Sequence, residues 1–243
     1  MLSLNAVVAW GKKNYGIIVT LVGGYALYRV VTYFDEDKRG ENLKIIKTFT
    51  KYQQYPLLFH HILEGESETY EDMNYYKGDT LSGYIKGKYG KRYGAMTKDL
   101  TDYTIGEIIA FQNNSRSSAN GQLWATGRYQ VIPSTLKGIY ASAGLRLTDK
   151  YTPENQDKIG MALLRTNTRK FLQGTIANTQ ANKNASALEI AQTWSSVGVP
   201  YAMRGMYQNI NKNDSYYKRD GGIDKASVKT EDIQKALVES RKK

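Results

Sequence analysis

The chain has 243 residues with 34 Lys and Arg against 23 Asp and Glu, a net charge of +11, and 41% hydrophobic content. That is room for one sizeable folded domain plus an appendage, and not the composition of a disordered chain. Cysteine is absent and His60 and His61 are the only histidines, which excludes disulfides and thiolate chemistry and leaves no metal site and no cofactor to be expected.

The charge suits an anionic partner: nucleic acid, anionic lipid or a cell-wall polymer. The basic residues are spread along the chain without a recognisable nucleic-acid motif, so nucleic acid is not expected. Twenty tyrosines fit either sugar stacking or core packing. No oligomeric state is indicated.

The first element in chain order is Asn14–Phe34, uncharged through Tyr28 and with Arg29 as its only charge before Asp35. As a helix it would span roughly 30 Å, the thickness of a bilayer core. Trp10 and Tyr15 near one end, with Tyr28, Tyr33 and Phe34 near the other, resemble an interfacial aromatic belt, and Arg29 can snorkel. The Tyr-Phe-Asp-Glu-Asp run that follows offers no small-residue cleavage site, so a retained, single-pass transmembrane anchor within residues 1–34 is expected. Lys12 and Lys13 on one flank and Asp35, Glu36 and Asp37 on the other favour a cytoplasmic N-terminus and an exported body.

Residues 35–55 read as a tether or a short helix, with Leu43, Ile45, Ile46 and Phe49 at roughly helical spacing. From Pro56 the pattern is globular. Leu57, Leu58, His61 and Ile62 form an apolar stripe on a helix ending near Glu66. Residues 74–103 are rich in Gly, Tyr and Lys and read as loops with short strands. Thr104 and Glu107 form a capping box. Further helices are expected from Pro133 to Gly144, from Thr152-Pro153 to about Gly174, from Ser186 or Ala187 through Trp194, and from Thr230 onward. Residues 56–243 therefore form a mainly α-helical domain.

Glycoside cleavage requires a carboxylic acid that stays protonated, and such an acid belongs at the edge of an apolar helix where desolvation raises its pKa. Glu66 has that position. Glu64, two residues earlier, lies about 200° around the helix, so the two cannot face one cleft equally. On the residues alone, an acid at a helix end is more often solvated surface.

The run Leu63-Glu64-Gly65-Glu66-Ser67-Glu68-Thr69-Tyr70 resembles the Gly-Glu-Ser segment of phage muramidases and lytic transglycosylase-like domains. Ala125-Thr126-Gly127-Arg128-Tyr129-Gln130-Val131-Ile132-Pro133-Ser134 resembles their Gly-Arg-Tyr-Gln segment. Tyr103–Glu107 with Phe111-Gln112 is similar to their connecting helix. Trp194–Tyr201, with Ser215-Tyr216-Tyr217 and Asp220-Gly221-Gly222, is similar to their C-terminal part. The likeness covers about residues 57–240, in order.

It implies a lysozyme-like fold and cleavage of the peptidoglycan β-1,4 bond between MurNAc and GlcNAc, with Glu66 as general acid. Ser67 would position the acetamido group or the acid, or simply close the helix. Gln130 would line the cleft, and Tyr129, Tyr216 and Tyr217 would contact sugar, with packing roles open for all three. Arg128 reads as structural. Glu68 and Thr69 depart from the small residues common after Gly-Glu-Ser. No second carboxylate is singled out among Asp72, Asp79, Asp99 and Asp102. The partners implied are glycan strands and, through residues 14–34, a lipid membrane, in the setting of a phage or virion. The competing expectation is a non-catalytic wall-binding membrane protein of a virion or envelope-spanning machine.

Overall fold

The computed structural model describes residues 16–22, 25–31, 48–67, 69–77, 80–85, 98–115, 122–219 and 226–242. It divides into a unit over Met1–Lys44 and a second over Ile45–Lys243. In the first, β1 (Gly16–Val22) pairs antiparallel with β2 (Tyr25–Val31), Gly16 opposite Val31 and Val22 opposite Tyr25. The strands are rich in β-branched and aromatic residues, which pack well on a pleated surface. Residues 1–15, 23–24 and 32–47, which include both flanks of the expected anchor, lie outside those described. Among the described residues, no helix is long and apolar enough to cross a membrane.

The second unit is mainly helical. Its α-helices are α1 (Pro56–Leu63), α2 (Ile105–Gln112), α3 (Pro133–Ile139), α4 (Pro153–Leu163), α5 (Thr166–Leu172), α6 (Gln180–Ala191) and α7 (Thr230–Ser240). A three-stranded antiparallel sheet of order β4-β3-β5 is built from β3 (Met73–Lys77), β4 (Thr80–Ile85) and β5 (Gln122–Thr126). A short ribbon joins β6 (Met203–Arg204) to β7 (Asn209–Ile210).

Helix α1 runs through the core: Leu58, Phe59 and Ile62 are fully buried. Phe59 meets Tyr129 and Trp194 edge-on at centroid distances of 5.4 and 5.8 Å, the geometry that aligns a positive ring edge with a negative face. Helix α7 packs on α1 through the buried residues Ile233, Ala236 and Leu237.

The expected capping box is present. Thr104 Oγ1 accepts from the Glu107 N–H at 3.2 Å, and Glu107 Oε2 accepts from the Thr104 N–H at 2.7 Å. Other boundaries differ from the sequence reading for tertiary reasons. The helix expected from Thr152 to Gly174 breaks at Leu164, which is extended. The Glu189 carboxylate of α6 accepts from the N–H groups of Asn167 and Thr168 at 3.2 and 2.9 Å, and so caps a new helix, α5, from another element. Helix α6 starts at Gln180, earlier than expected, because Thr179 Oγ1 accepts from the Asn182 N–H. Lys229, not Thr230, is the N-cap of α7.

The end of the stretch read as a tether packs into this body. Asp157 on α4, fully buried, accepts from Thr50 N–H and Oγ1 at 2.8 and 2.6 Å, and from the hydroxyls of Tyr70 and Tyr129 at 2.8 and 2.7 Å. Its neighbour Gln156 accepts from the Arg128 N–H and donates to the carbonyls of Tyr70 and Tyr151. Arg128 donates to the Thr48 carbonyl and lies 3.9 Å from the Phe49 ring centroid. Residues 48–55 thus form a strap across the Gly127–Gln130 turn. A buried carboxylate is tolerated only when donors replace its hydration, and here four donors from three separate segments do so.

Candidate active site

Helix α1 ends at Leu63, and Glu64–Glu66 form a turn beyond it. The N–H groups of Glu66 and Ser67 both donate to the Leu63 carbonyl at 3.1 Å. Glu66 is therefore not on the helix proper, as the sequence suggested, but one turn past it. Gly65 is what permits this. A Cβ there would lie 2.5 Å from Ser196 Cβ and collide with Ser227 Oγ. Without one, the turn closes against the 196 and 227 segments. Ser196 is itself fixed, its carbonyl accepting from the N–H groups of Ser227 and Val228 at 2.8 and 3.0 Å.

The Glu66 carboxylate receives the Ser196 hydroxyl at 2.6 Å and the Ser196 N–H at 3.3 Å. Although the residue keeps some surface open to solvent, protein atoms crowd its carboxyl group. Burial pushes the pKa up from an ordinary 4.5 to about 7, against the two hydrogen bonds from Ser196 that pull it down. Desolvation wins, because withdrawing a charge from water outweighs two donors. Glu64 is the contrast: it is exposed and sits 3.4 Å from His60 and 3.6 Å from His61, on the face where solvent screens it.

Ser67 is buried and donates to the Thr69 carbonyl at 2.9 Å and to Asp72 Oδ2 at 2.8 Å. Asp72 is fully buried and also accepts from the Thr69 N–H and hydroxyl. This places Ser67 as a clasp for the loop after Glu66. It also occupies Asp72 with loop donors. Of the other carboxylates considered, Asp102 pairs with Lys150 at the surface, and Asp79 lies outside the described residues. Glu71, which the sequence reading passed over, accepts from the Leu100 N–H at 2.6 Å and from the Thr101 hydroxyl. Its pKa is raised by burial.

The Gly127–Gln130 turn is tied to the same loop. Gly127 N–H donates to the Asp72 carbonyl at 2.7 Å, and the Gln130 amide nitrogen donates to the carbonyls of Gly127 at 2.8 Å and Asp72 at 3.4 Å. Gln130 has φ +46°, a left-handed conformation that non-glycine residues adopt at a cost and that favours functional or tightly constrained turns. It is half-buried beside the loop that begins at Glu66.

Tyr129 is a different case. It is 2% exposed, with its hydroxyl between Asp157 and Gln53, and its ring lies against Gly160, where any Cβ would collide with it. In this position it packs the core and does not face a sugar. Tyr216 and Tyr217 are half-buried with ring centroids 5.4 Å apart. Tyr217 donates to the Gln192 carbonyl at 2.5 Å. They follow Ser215, which bridges to Gly198, two residues beyond Ser196.

The structure therefore brings Glu66, Ser67 and Gln130 around one loop, whereas Tyr216 and Tyr217 are joined to the segment that carries Ser196 through the bridge between Ser215 and Gly198. Ser196 had no role in the sequence reading. The signal that could have found it is Gly65, a glycine in a negative-φ turn that is there for close approach. No group of three or more His, Asp or Glu side chains suited to a metal ion occurs among the described residues. A surface cavity of about 380 Å³ beside α7, lined by Lys183, Glu231 and Lys235 among others, takes in none of the site residues. Compared with protein-family models, characterised proteins and solved structures, the chain matches none of them.

Glu66 makes stability depend on pH. The folded state holds this proton until about pH 7, whereas an unfolded chain releases it near 4.5. Its stabilising contribution is thus complete below about pH 4.5 and is lost as pH rises through about 7. Glu66→Gln has no such proton to lose. The variant should match wild type in thermal unfolding at pH 4 and exceed it at pH 8, by on the order of 1–3 kcal/mol. Equal stability at both pH values would show that the carboxyl is not desolvated.

Proposed function

We propose that this chain is a membrane-anchored enzyme that cleaves the β-1,4 bond between MurNAc and GlcNAc in peptidoglycan, with Glu66 as general acid and a lysozyme-like arrangement of its helical body. The observation that carries the reading is a carboxyl group just past an apolar helix, desolvated to a pKa of about 7 and fixed by Ser196 from 130 positions away in sequence. A general acid works best when its pKa lies near the operating pH, so that it is both populated with a proton and able to release it. A wall-binding protein without catalysis has no use for such a group. The three-stranded sheet following the acid-bearing turn supports the same arrangement.

In this reading Glu66 transfers its proton to the glycosidic oxygen as the C1–O bond breaks. Asp72 is held by Ser67 and Thr69, which favours a single-carboxylate route. The substrate's own 6-hydroxyl then attacks C1 and returns its proton to Glu66. Such a reaction leaves 1,6-anhydro ends, the lytic transglycosylase outcome, where two carboxylates would deliver water. Ser67 acts by holding the loop, and Gln130 by presenting its amide at the loop's edge. Peptidoglycan strands are the partner, a phage or virion the setting, and residues 14–34 the anchor that keeps the body on the wall-facing side of a lipid membrane.

Glu66→Gln should lose roughly 100-fold or more of the wall-cleaving rate while still sedimenting with purified peptidoglycan, and Glu64→Gln should stay active. Wild-type turnover should fall as pH rises through about 7, because deprotonation removes the acid. Mass spectrometry of released muropeptides should find anhydro ends. Full activity in Glu66→Gln, or wild-type protein that releases no fragments, would overturn the reading. For the anchor, full-length protein should remain with membranes after carbonate washing while residues 45–243 are soluble; soluble full-length protein would remove it.

A further inference from the structure

Outside the acid site, exposed apolar side chains concentrate in one place. Tyr201, Met206 and Tyr207 are 43%, 55% and 49% exposed, all within seven residues of sequence around the β6–β7 ribbon. Large apolar groups gathered on a solvent face mark a binding surface more often than chance packing. The ribbon is held firmly. The Gly205 N–H donates to the Gln208 carbonyl, and the Met206 N–H donates to the Tyr216 carbonyl, both at 2.9 Å. A Cβ at Gly205 would sit 2.8 Å from that same Tyr216 carbonyl, so the ribbon and the Tyr216 segment are in direct contact.

The chain on the two sides of the ribbon is tied together close in sequence to Ser196. Val199 N–H donates to the Asp214 carbonyl and Asn213 N–H to the Val199 carbonyl, both at 2.9 Å, three residues from Ser196. Tyr201 is five residues from Ser196, so their Cα atoms are no more than about 18 Å apart. The charge is one-sided: residues 201–219 hold Arg204, Lys212, Lys218 and Arg219 against Asp214 alone. Lys218 pairs with Asp214 and Lys212 with Glu231. Arg204 donates to the Tyr207 carbonyl at 3.1 Å, and the Arg219 guanidinium stands 5.6 Å from the Tyr207 ring centroid. Both guanidinium groups thus stand at Tyr207, on the exposed stretch that begins at Tyr201.

Resting on the proposed function, we infer that this ribbon is a remote binding platform for the glycan, on which Tyr201 and Tyr207 stack against sugar rings while Arg204 and Arg219 take the carboxylates of stem peptides. Aromatic faces suit the C–H faces of a pyranose. Arginine presents a planar fork matched to carboxylate. The combination selects a peptide-bearing glycan over a neutral one, and it holds the strand while Glu66 acts.

The test uses full-length protein in detergent and two probes: an N-acetylglucosamine oligomer, which lacks peptide, and a muropeptide oligomer of equal sugar length. Tyr201→Ala and Tyr207→Ala should each weaken binding to both probes by roughly 3- to 10-fold, and Tyr207→Phe, which keeps the ring, should bind like wild type. Arg204→Gln and Arg219→Gln should weaken the muropeptide alone, by about 3-fold or more. Turnover by these variants should show a raised KM with little change in kcat. Wild-type affinity in both Tyr→Ala variants would overturn the platform. So would equal loss of both probes in the Arg variants, or an equal loss in Lys235→Gln on α7. Binding needs no cleavage, so the platform is decided even if Glu66→Gln proves fully active and the catalytic reading fails.

Discussion

The close approach of Gly65 to Ser196 and Ser227 is the constraint on which the candidate site depends. Segments far apart in sequence come so near that a single methyl group would not fit between them. That closeness sets the Ser196 hydroxyl against Glu66 and crowds the carboxyl group enough to raise its pKa. Neither effect would survive a relaxed loop, because a solvated carboxylate regains its hydration and its ordinary acidity.

Three acidic side chains within one region show how environment sets role. Glu64 faces solvent beside two histidines. Asp72 is buried but surrounded by donors from Ser67 and Thr69, so it organises the loop. Glu66 is desolvated and accepts from Ser196, and it is the one suited to hold a transferable proton. Asp157 does for the scaffold what Asp72 does for the loop: it ties the 48–55 strap, Tyr70 and Tyr129 to α4. The Gly127–Gln130 turn hangs between these two buried carboxylates, bonded to the Asp72 carbonyl on one side and to Gln156 on the other. A left-handed Gln130 is retained because both sides hold it.

Much of this was legible in local sequence. The Pro56 start and the Thr104–Glu107 box are signals that act within a few residues, and the structure has both. The buried face of α1 is Leu58, Phe59, Ile62 and Leu63, without Leu57 and His61, and α3 ends at Ile139, so that Gly144 closes only a short 3-10 turn after it. The Glu64 and Glu66 contrast was expected from helical geometry, but it arises in the turn beyond Leu63, where Ser196 meets Glu66 and Glu64 stays exposed. What sequence did not reveal acts across the chain. The break before α5 depends on Glu189, and the strap depends on Asp157, both far away in sequence. Tyr129 reads as a site residue from its motif, yet Gly160 opens a core slot for its ring and Asp157 and Gln53 hold its hydroxyl. Ser196 stood in a recognisable run with nothing local to give it a partner.

The central claim is that Glu66 remains a protonated acid near neutral pH, and it can be measured without substrate. Carbon-13 NMR of protein labelled at the glutamate side-chain carboxyl carbon, with Glu66→Gln used to assign the resonance, follows this one group through a titration. The account requires a midpoint of about 7. It also requires a further upward shift in Ser196→Ala, where a donor that favours the charged form is gone. A midpoint near 4.5, the ordinary value for a solvated glutamate, would contradict it.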